Sequence, residues 1–118
     1  MTLPSPIIRH GAGPRWSDVV VHRGVATWVE VAEDSARDTA GQIEQVFAQI
    51  DATLASLGAT RERLLQITIY LADLADAPTL NKLWDAWVVP GQAPVRACVQ
   101  AGLSGRLRVE MIITAAVE

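Results

Sequence analysis

The sequence predicts an α+β fold, a mixed β-sheet with two helices on one face. Two segments have the three- and four-residue hydrophobic spacing of amphipathic helices, and the segments around them are β-branched or alternate with a period of two, in the order ββαβαββ. Because a helix does not join every pair of strands, this order favours an α+β sheet. Two helices cover only one face of about five strands, so we expect oligomerisation, most simply as a closed ring, to cover the other.

The chain has 118 residues, enough for one hydrophobic core but small for two. Hydrophobic residues make up 50% of the sequence and charged residues 19%, a balance typical of globular chains. No linker, internal repeat or low-complexity tract divides the sequence. We therefore expect a single domain spanning residues 1–118.

The first elements are a short arm and a hairpin. The first 15 residues contain Pro and Gly but no hydrophobic period, which indicates an arm or a loose terminus. Val19 to Val21 and Val25 to Val31 are β-branched runs on either side of the turn signal Arg23-Gly24, so they predict a β-hairpin.

The most regular pattern predicts a long helix from Ala36 to Leu57, whose hydrophobic residues recur every three or four positions. Ser35 is the predicted N-cap residue, and Gly58 suits the left-handed conformation that follows a last helical turn.

The second half of the chain predicts a strand, a short helix and two more strands. Leu64 to Ala72 alternates with a period of two, with Leu65 expected on the buried side. Pro78 begins a helix that ends before Pro90-Gly91, and its Trp84 and Trp87 are expected in the core. The predicted final strands are Val95 to Gln100 and Leu107 to Val117.

Charge and composition argue against several classes of protein. The net charge is −3 and the nine arginines are scattered, whereas nucleic-acid binders usually cluster their basic residues, so we expect no nucleic-acid partner. No apolar run is long enough to cross a bilayer and the N-terminus lacks the pattern of a signal peptide, so we expect a cytoplasmic protein without membrane contact. One cysteine and two distant histidines predict no metal site.

Two charged residues in the last strands are candidates for chemistry. Alternation places Arg96, Cys98 and Gln100 on one face of their strand. If the last two strands pair as an antiparallel hairpin centred on Leu103, Arg96 lies opposite Glu110 on the same face. One interpretation is a buried ion pair. The other is a site in which the guanidinium binds a ligand carboxylate and the glutamate orients or deprotonates a water.

The remaining candidates allow both structural and functional interpretations. Cys98 is a lone thiol in a strand, a position more typical of a small buried hydrophobe than of a nucleophile. Trp16 lies just before the first strand of the hairpin, where it either packs in the core or lines a pocket.

Several segments resemble the RidA family, also called the YjgF/YER057c/UK114 group, of reactive intermediate deaminases. They include the run from Ala93 to Val99, the run from Val109 to Ala115 and the strand from Ile67 to Leu74. The sequence is most similar to a branch with Arg-Trp-Ser-Asp near the N-terminus, here residues 15–18, and Asn-Lys-x-Trp-Asp-Ala-Trp-Val-Val in the second helix, here residues 81–89.

The resemblance implies a chorismate-mutase-like fold assembled as a homotrimeric barrel, with ligand clefts between subunits. It implies that Arg96 binds the substrate carboxylate, that Glu110 positions the attacking water and that the backbone at Cys98 contacts the ligand. The implied reaction is hydrolysis of an enamine or imine, such as 2-aminoacrylate, to a 2-oxo acid and ammonia, without a cofactor. Trp16 and Ser17 join the expected substrate-binding residues.

The sequence departs from the family pattern at two of the expected binding positions. Trp16 stands where deaminases carry a tyrosine that closes the cleft, and Glu30 stands where the family has a glycine. Glu30 would narrow the pocket, repel a carboxylate or add a second acid–base group.

Two functional hypotheses follow from the resemblance and its departures. The first is a deaminase of 2-imino acids. The second is a non-catalytic trimeric binder of small carboxylate metabolites. A ribonuclease or translation inhibitor, activities attached to some members of the family, fits this acidic chain least well.

Overall fold

The computed structural model describes residues 3–118, which form a six-stranded mixed sheet and two α-helices. The strands are β1 (Ile7–His10), β2 (Val19–His22), β3 (Val25–Val31), β4 (Leu64–Leu71), β5 (Val95–Gln100) and β6 (Val109–Ala116), and the helices are α1 (Thr39–Ser56) and α2 (Ala77–Trp87). The strand order in the sheet is β1-β2-β3-β6-β4-β5. The predicted α+β fold is confirmed, and β1 is an additional edge strand within the segment expected to be an arm.

The expected hairpin between the last two strands is wrong. β5 pairs in parallel with β4, and β6 lies between β3 and β4 and is antiparallel to both. The physical reason is the helix between β4 and β5, because a crossover through α2 returns the chain parallel to the strand it left. Residues 101–108 then carry the chain past β4 to the gap beside β3.

The helix α1 begins later than its hydrophobic pattern predicts. Its N-cap is Asp38, whose side chain accepts a hydrogen bond of 2.8 Å from the backbone N–H of Gly41, so Ser35 is not the cap. Asp34 accepts from the backbone N–H of Ala36 at 3.0 Å, an Asx turn that competes with helical hydrogen bonds at this point. Gly58 has the predicted left-handed backbone, with φ of +73°.

A β-bulge changes the expected alternation at the start of β4. The pairing with β6 shifts between Leu64 and Gln66, which leaves Leu64 buried and Leu65 exposed. From Ile67 onward the alternation follows the sequence, and Ile67 and Ile69 are fully buried.

The core lies between the sheet and the two helices. It includes the predicted tryptophans Trp84 and Trp87, which pack with Phe47; the rings of Phe47 and Trp87 are stacked with centroids 4.3 Å apart. The face of the sheet away from the helices carries exposed valines, among them Val29, Val95 and Val99. This uncovered apolar face is expected, because two helices cover only one face of the sheet.

Candidate functional site

A cavity of about 870 Å³ lies at the end of the sheet where β3 finishes and β6 begins. Its volume falls within the range of pockets that bind small molecules. It is bordered by the loop after β1, by β3, by α1 and by the segment that enters β6. Four residues that the sequence singled out border it, namely Trp16, Ser17, Glu30 and Glu110.

The loop between β1 and β2 presents Trp16 to this cavity. Asp18 donates its backbone N–H to the carbonyl of His10 at 2.9 Å, which closes the base of the loop. Gly13 donates to the carbonyl of Trp16 at 2.8 Å and fixes the turn inside it. Trp16 is 71% exposed, which is unusual for so large an apolar residue, so in one chain it forms an open wall of the cavity and is not part of the core.

Glu30 reaches the cavity from the helix side of β3. Its register partner on β6 is the buried Met111, so the two side chains share the helix-facing side. Gln49 donates its amide to Glu30 Oε2 at 2.9 Å, and Thr53 donates its hydroxyl to Glu30 Oε1 at 3.1 Å. Gln49 and Thr53 lie one turn apart on α1, and together they fix the carboxylate of Glu30 at the wall of the cavity.

Glu110 borders the same cavity from the second residue of β6. It is half-buried, and it pairs with Val31 of β3 and Tyr70 of β4, which places it on the face away from the helices. Glu30 and Glu110 therefore leave the sheet on opposite faces and meet one cavity, because that cavity lies at the end of these strands.

Arg96 lies elsewhere, on the edge strand β5. Its register partner is Ile67, so its side chain faces the helices, and its guanidinium carbon lies 5.1 Å from the ring centroid of Trp84. None of the salt bridges or side-chain hydrogen bonds found among residues 3–118 involves this guanidinium. Arg96 is thus held over an aromatic ring with its hydrogen-bond donors free.

Cys98 follows on the same side of β5, opposite Ile69. Burial raises the pKa of the Cys98 thiol above its ordinary value, and the charge of Arg96 offsets part of that rise. The thiol therefore stays protonated at neutral pH, which is the opposite of what a nucleophilic cysteine needs.

The expected pairing of Arg96 with Glu110 is wrong, both as a shared face and as an ion pair. β4 lies between their strands, and the two side chains leave the sheet on opposite faces. The cavity brings together Trp16, Ser17, Glu30 and Glu110 and does not include Arg96 or Cys98.

Several residues that border the cavity are not among those that the sequence predicts. Asp18 and Glu33 add two carboxylates, and Trp28 adds a second indole. Gln49 and Thr53, which anchor Glu30, are polar positions one helical turn apart beside the buried stripe of α1, a spacing that the sequence contains. Their function becomes visible only once β3 is known to pack against α1.

Within residues 3–118 no three His, Cys, Asp or Glu side chains are grouped as a metal site would require. No helix in the same part of the chain is long and apolar enough to cross a membrane.

Known proteins are similar to this chain in fold and in sequence. A family model described as Endoribonuclease L-PSP matches residues 10–117. The RutC family protein YoaB of Escherichia coli K12 is 46% identical over 112 residues, which cover 94% of this chain and 98% of YoaB. A crystal structure of a YjgF family member from Neisseria meningitidis superposes with a TM-score of 0.88 at 40% identity, covering 96% of each chain.

A mixed six-stranded sheet with two helices is the α+β fold of the YjgF/RidA structures. The chain belongs to the Endoribonuclease L-PSP family, which is the YjgF/RidA group that its sequence motifs resemble. A RutC family protein from Haemophilus ducreyi is also similar, with 39% identity over 105 residues, 87% of this chain and 90% of that protein.

Proposed function

We propose that this protein is a cytoplasmic imine deaminase, which hydrolyses reactive 2-imino acids and their enamine tautomers to 2-oxo acids and ammonia. The observation that carries the proposal is the free guanidinium of Arg96, held over Trp84 and without a carboxylate partner among residues 3–118. A planar cation with free donors suits the carboxylate that every 2-imino acid carries.

The proposed reaction needs two further groups. Water attacks the carbon of the C=N bond, a C–O bond forms, and the nitrogen leaves as ammonia after taking up the protons of the water. Glu110 is the residue proposed to orient that water and accept its proton, since its carboxylate borders the cavity without an ion-pair partner in the described chain. The backbone N–H at Cys98 is proposed to bind the ligand, and no cofactor is needed.

The proposed site lies between subunits of a homotrimer. Arg96 and Cys98 lie on the edge strand β5, whereas Trp16, Ser17, Glu30 and Glu110 border the cavity where β3 ends and β6 begins. A ring of three chains would bring β5 of one chain to the cavity of the next, and it would also cover the exposed valines of the open face.

The direct test generates the unstable imine substrate in situ, within the assay. An amino-acid oxidase converts alanine or 2-aminobutyrate to its imine, catalase removes the peroxide, and semicarbazide traps the imine that escapes hydrolysis. We expect micromolar protein to lower the initial rate of semicarbazone formation, because semicarbazide traps the imine faster than the 2-oxo acid, and to speed 2-oxo acid release. Equal initial rates with and without the protein would reject the deaminase.

A binder that does not turn its ligand over is the second candidate, because an anchored Glu30 carboxylate stands at the family's glycine position. Pyruvate or 2-oxobutyrate would then raise the melting temperature through Arg96 while no imine is consumed. A nucleic-acid substrate is disfavoured, because the cavity has four carboxylates and no basic residue on its described walls.

A further inference from the structure

Gln42 is the one polar or charged residue that is fully buried among residues 3–118. It lies near the start of α1, and the other buried side chains of that helix are all apolar. Burial of an amide costs free energy unless hydrogen bonds satisfy it. A glutamine in this position is therefore explained by the groups to which it bonds.

The amide of Gln42 joins the segment before α1 to the segment before β6. Its nitrogen donates to the carbonyls of Ser35 at 3.3 Å, Arg37 at 3.1 Å and Arg106 at 3.0 Å. Its carbonyl oxygen accepts the backbone N–H of Arg108 at 2.8 Å. Both segments also contribute residues to the border of the cavity, so this one side chain ties two of the cavity walls together.

Arg108, the residue just before β6, is fixed in its backbone and in its side chain. Its backbone N–H is bound by Gln42, and its carbonyl accepts the N–H of Ala72 at 3.0 Å. Its guanidinium donates to Asp76 at 2.9 Å and to the hydroxyl of Thr39 at 3.3 Å. The entrance to β6 is therefore attached to α1 and to the segment between β4 and α2.

Glu110 follows two residues later, and its own carboxylate has no such attachment. None of the salt bridges or side-chain hydrogen bonds found among residues 3–118 uses it. Glu30, by contrast, is held directly by Gln49 and Thr53. The position of the Glu110 carboxylate in the cavity thus depends on the backbone that enters β6.

From these contacts we infer that Gln42 is a positioning residue for the proposed reaction: by fixing the backbone at Arg106 and Arg108, it determines where the Glu110 carboxylate meets the attacking water. The inference rests on the proposed deaminase function and on the proposed role of Glu110 in it. Gln42 touches no substrate itself, because it is fully buried and does not border the cavity. Displacement of a reacting group by about 1 Å costs up to about a hundredfold in rate.

The test replaces Gln42 in two ways. Gln42→Met keeps the length of the side chain and removes its hydrogen bonds, and Gln42→Ala removes them but leaves room for water. In both variants we expect kcat on the imine of 2-aminobutyrate to fall about 10- to 100-fold, with KM within about twofold of the native value because Arg96 is unchanged. Melting curves give the folded fraction, and each kcat is expressed per folded molecule.

Coupling between Gln42 and Glu110 separates placement from stability. In Glu110→Gln the proton-accepting carboxylate is absent, so its placement no longer affects the rate. Adding Gln42→Met to this variant is expected to change kcat by less than about twofold. These slow rates are measured with about a hundredfold more protein, which matches the loss expected when a general base is removed. A residue that acts through stability alone would lower kcat by the same factor in both backgrounds.

Ile43→Ala is the matched control for loss of stability. It truncates a fully buried side chain at the next position of α1, a change that costs stability through packing, and it removes no hydrogen bond to the entrance of β6. Its kcat per folded molecule is expected to equal that of the native protein. A fall as large as that of Gln42→Met would show that packing, and not the placement of Glu110, explains the result.

The failure of this inference differs from the failure of the deaminase. If Glu110→Gln is slow while both Gln42 variants are as fast as the native protein, or if Gln42→Met lowers kcat equally with and without the Glu110 carboxylate, the positioning role is overturned and the deaminase stands. If the native protein does not accelerate hydrolysis of the imine, the deaminase fails and the inference fails with it.

Discussion

Arg96 and Glu110 leave the sheet on opposite faces, from strands that β4 separates. The guanidinium lies over Trp84 on the helix side, and Glu110 borders the cavity at the start of β6. Each of the two side chains lacks an ion-pair partner among residues 3–118. If both act on one substrate, the simplest arrangement takes them from two different chains.

Two substitutions of Arg96 are expected to weaken substrate binding to different degrees. Arg96→Lys keeps the charge but loses the planar fork and the stacking on Trp84, so we expect KM to rise about tenfold. Arg96→Ala loses the charge as well, and we expect about a hundredfold loss of kcat/KM. Steady-state kinetics on the imine of 2-aminobutyrate measure both. Equal, small effects from the two substitutions would show that Arg96 does not bind the carboxylate.

Glu110→Gln keeps the shape of the side chain and removes its capacity to accept a proton. We therefore expect kcat to fall about 10²- to 10⁴-fold, the usual contribution of a general base. The thermal shift given by 2-oxobutyrate serves as the control for binding and is expected to persist. A variant with native kcat would exclude Glu110 from the chemistry.

Cys98 is expected to be a slow thiol. Burial raises the pKa of the thiol, so the reactive thiolate forms only at a pH above that of a free cysteine. The rate of iodoacetamide alkylation, measured against pH beside N-acetylcysteine, is expected to rise at higher pH in the protein. The charge of Arg96 lowers the pKa of the Cys98 thiol. We therefore expect Arg96→Gln to shift the rise in alkylation rate to a still higher pH. A rise at lower pH than in N-acetylcysteine would contradict this.

Gln42 joins the two loops that flank the start of β6, and its loss is expected to destabilise the fold. It is fully buried, its amide donates to the carbonyls of Ser35, Arg37 and Arg106, and its carbonyl accepts the backbone N–H of Arg108 at 2.8 Å. Gln42→Ala removes four part-buried hydrogen bonds to the backbone, so we expect the free energy of unfolding to fall by about 3 kcal/mol.

Urea denaturation measures this effect, and Gln45→Ala is its control. Gln45 also lies on α1, but it accepts a single hydrogen bond, from the exposed N–H of Asp34 at 2.8 Å. We expect its loss to cost about 1 kcal/mol. Equal losses in the two variants would mean that the buried network around Gln42 contributes little.

The sequence predicts the local helices and strands of this fold better than it predicts which strands pair with each other. The period of α1, the left-handed Gly58 and the bounds of β5 are local properties, and the structure has all of them. The pairing of β5 with β4 depends on the path of the chain through α2, so no pattern within β5 or β6 reveals it. The bulge that exposes Leu65 depends in the same way on the register with β6.

The same distinction applies to the candidate site: its residues can be identified in the sequence, but their placement cannot. Arg96 and Glu110 are visible in the sequence as charged residues in apolar strands, but their placement on opposite faces follows from the insertion of β6 between β3 and β4. Glu30 is visible in the sequence as an acid at the end of the second strand of the hairpin, where the resemblance implies a glycine. Its anchoring by Gln49 and Thr53 requires the packing of α1 on β3, a contact between distant parts of the chain.

The most direct test of a site shared between chains mixes two inactive variants. Arg96→Ala retains Glu110, and Glu110→Gln retains Arg96, so a ring built from both contains some interfaces at which both native residues meet. Purification of the co-expressed variants through two different tags leaves only hybrid rings, and in a hybrid trimer about one interface in three has this composition. We predict that these hybrid trimers recover about a third of the native activity. Hybrid oligomers no more active than either parent would contradict the account.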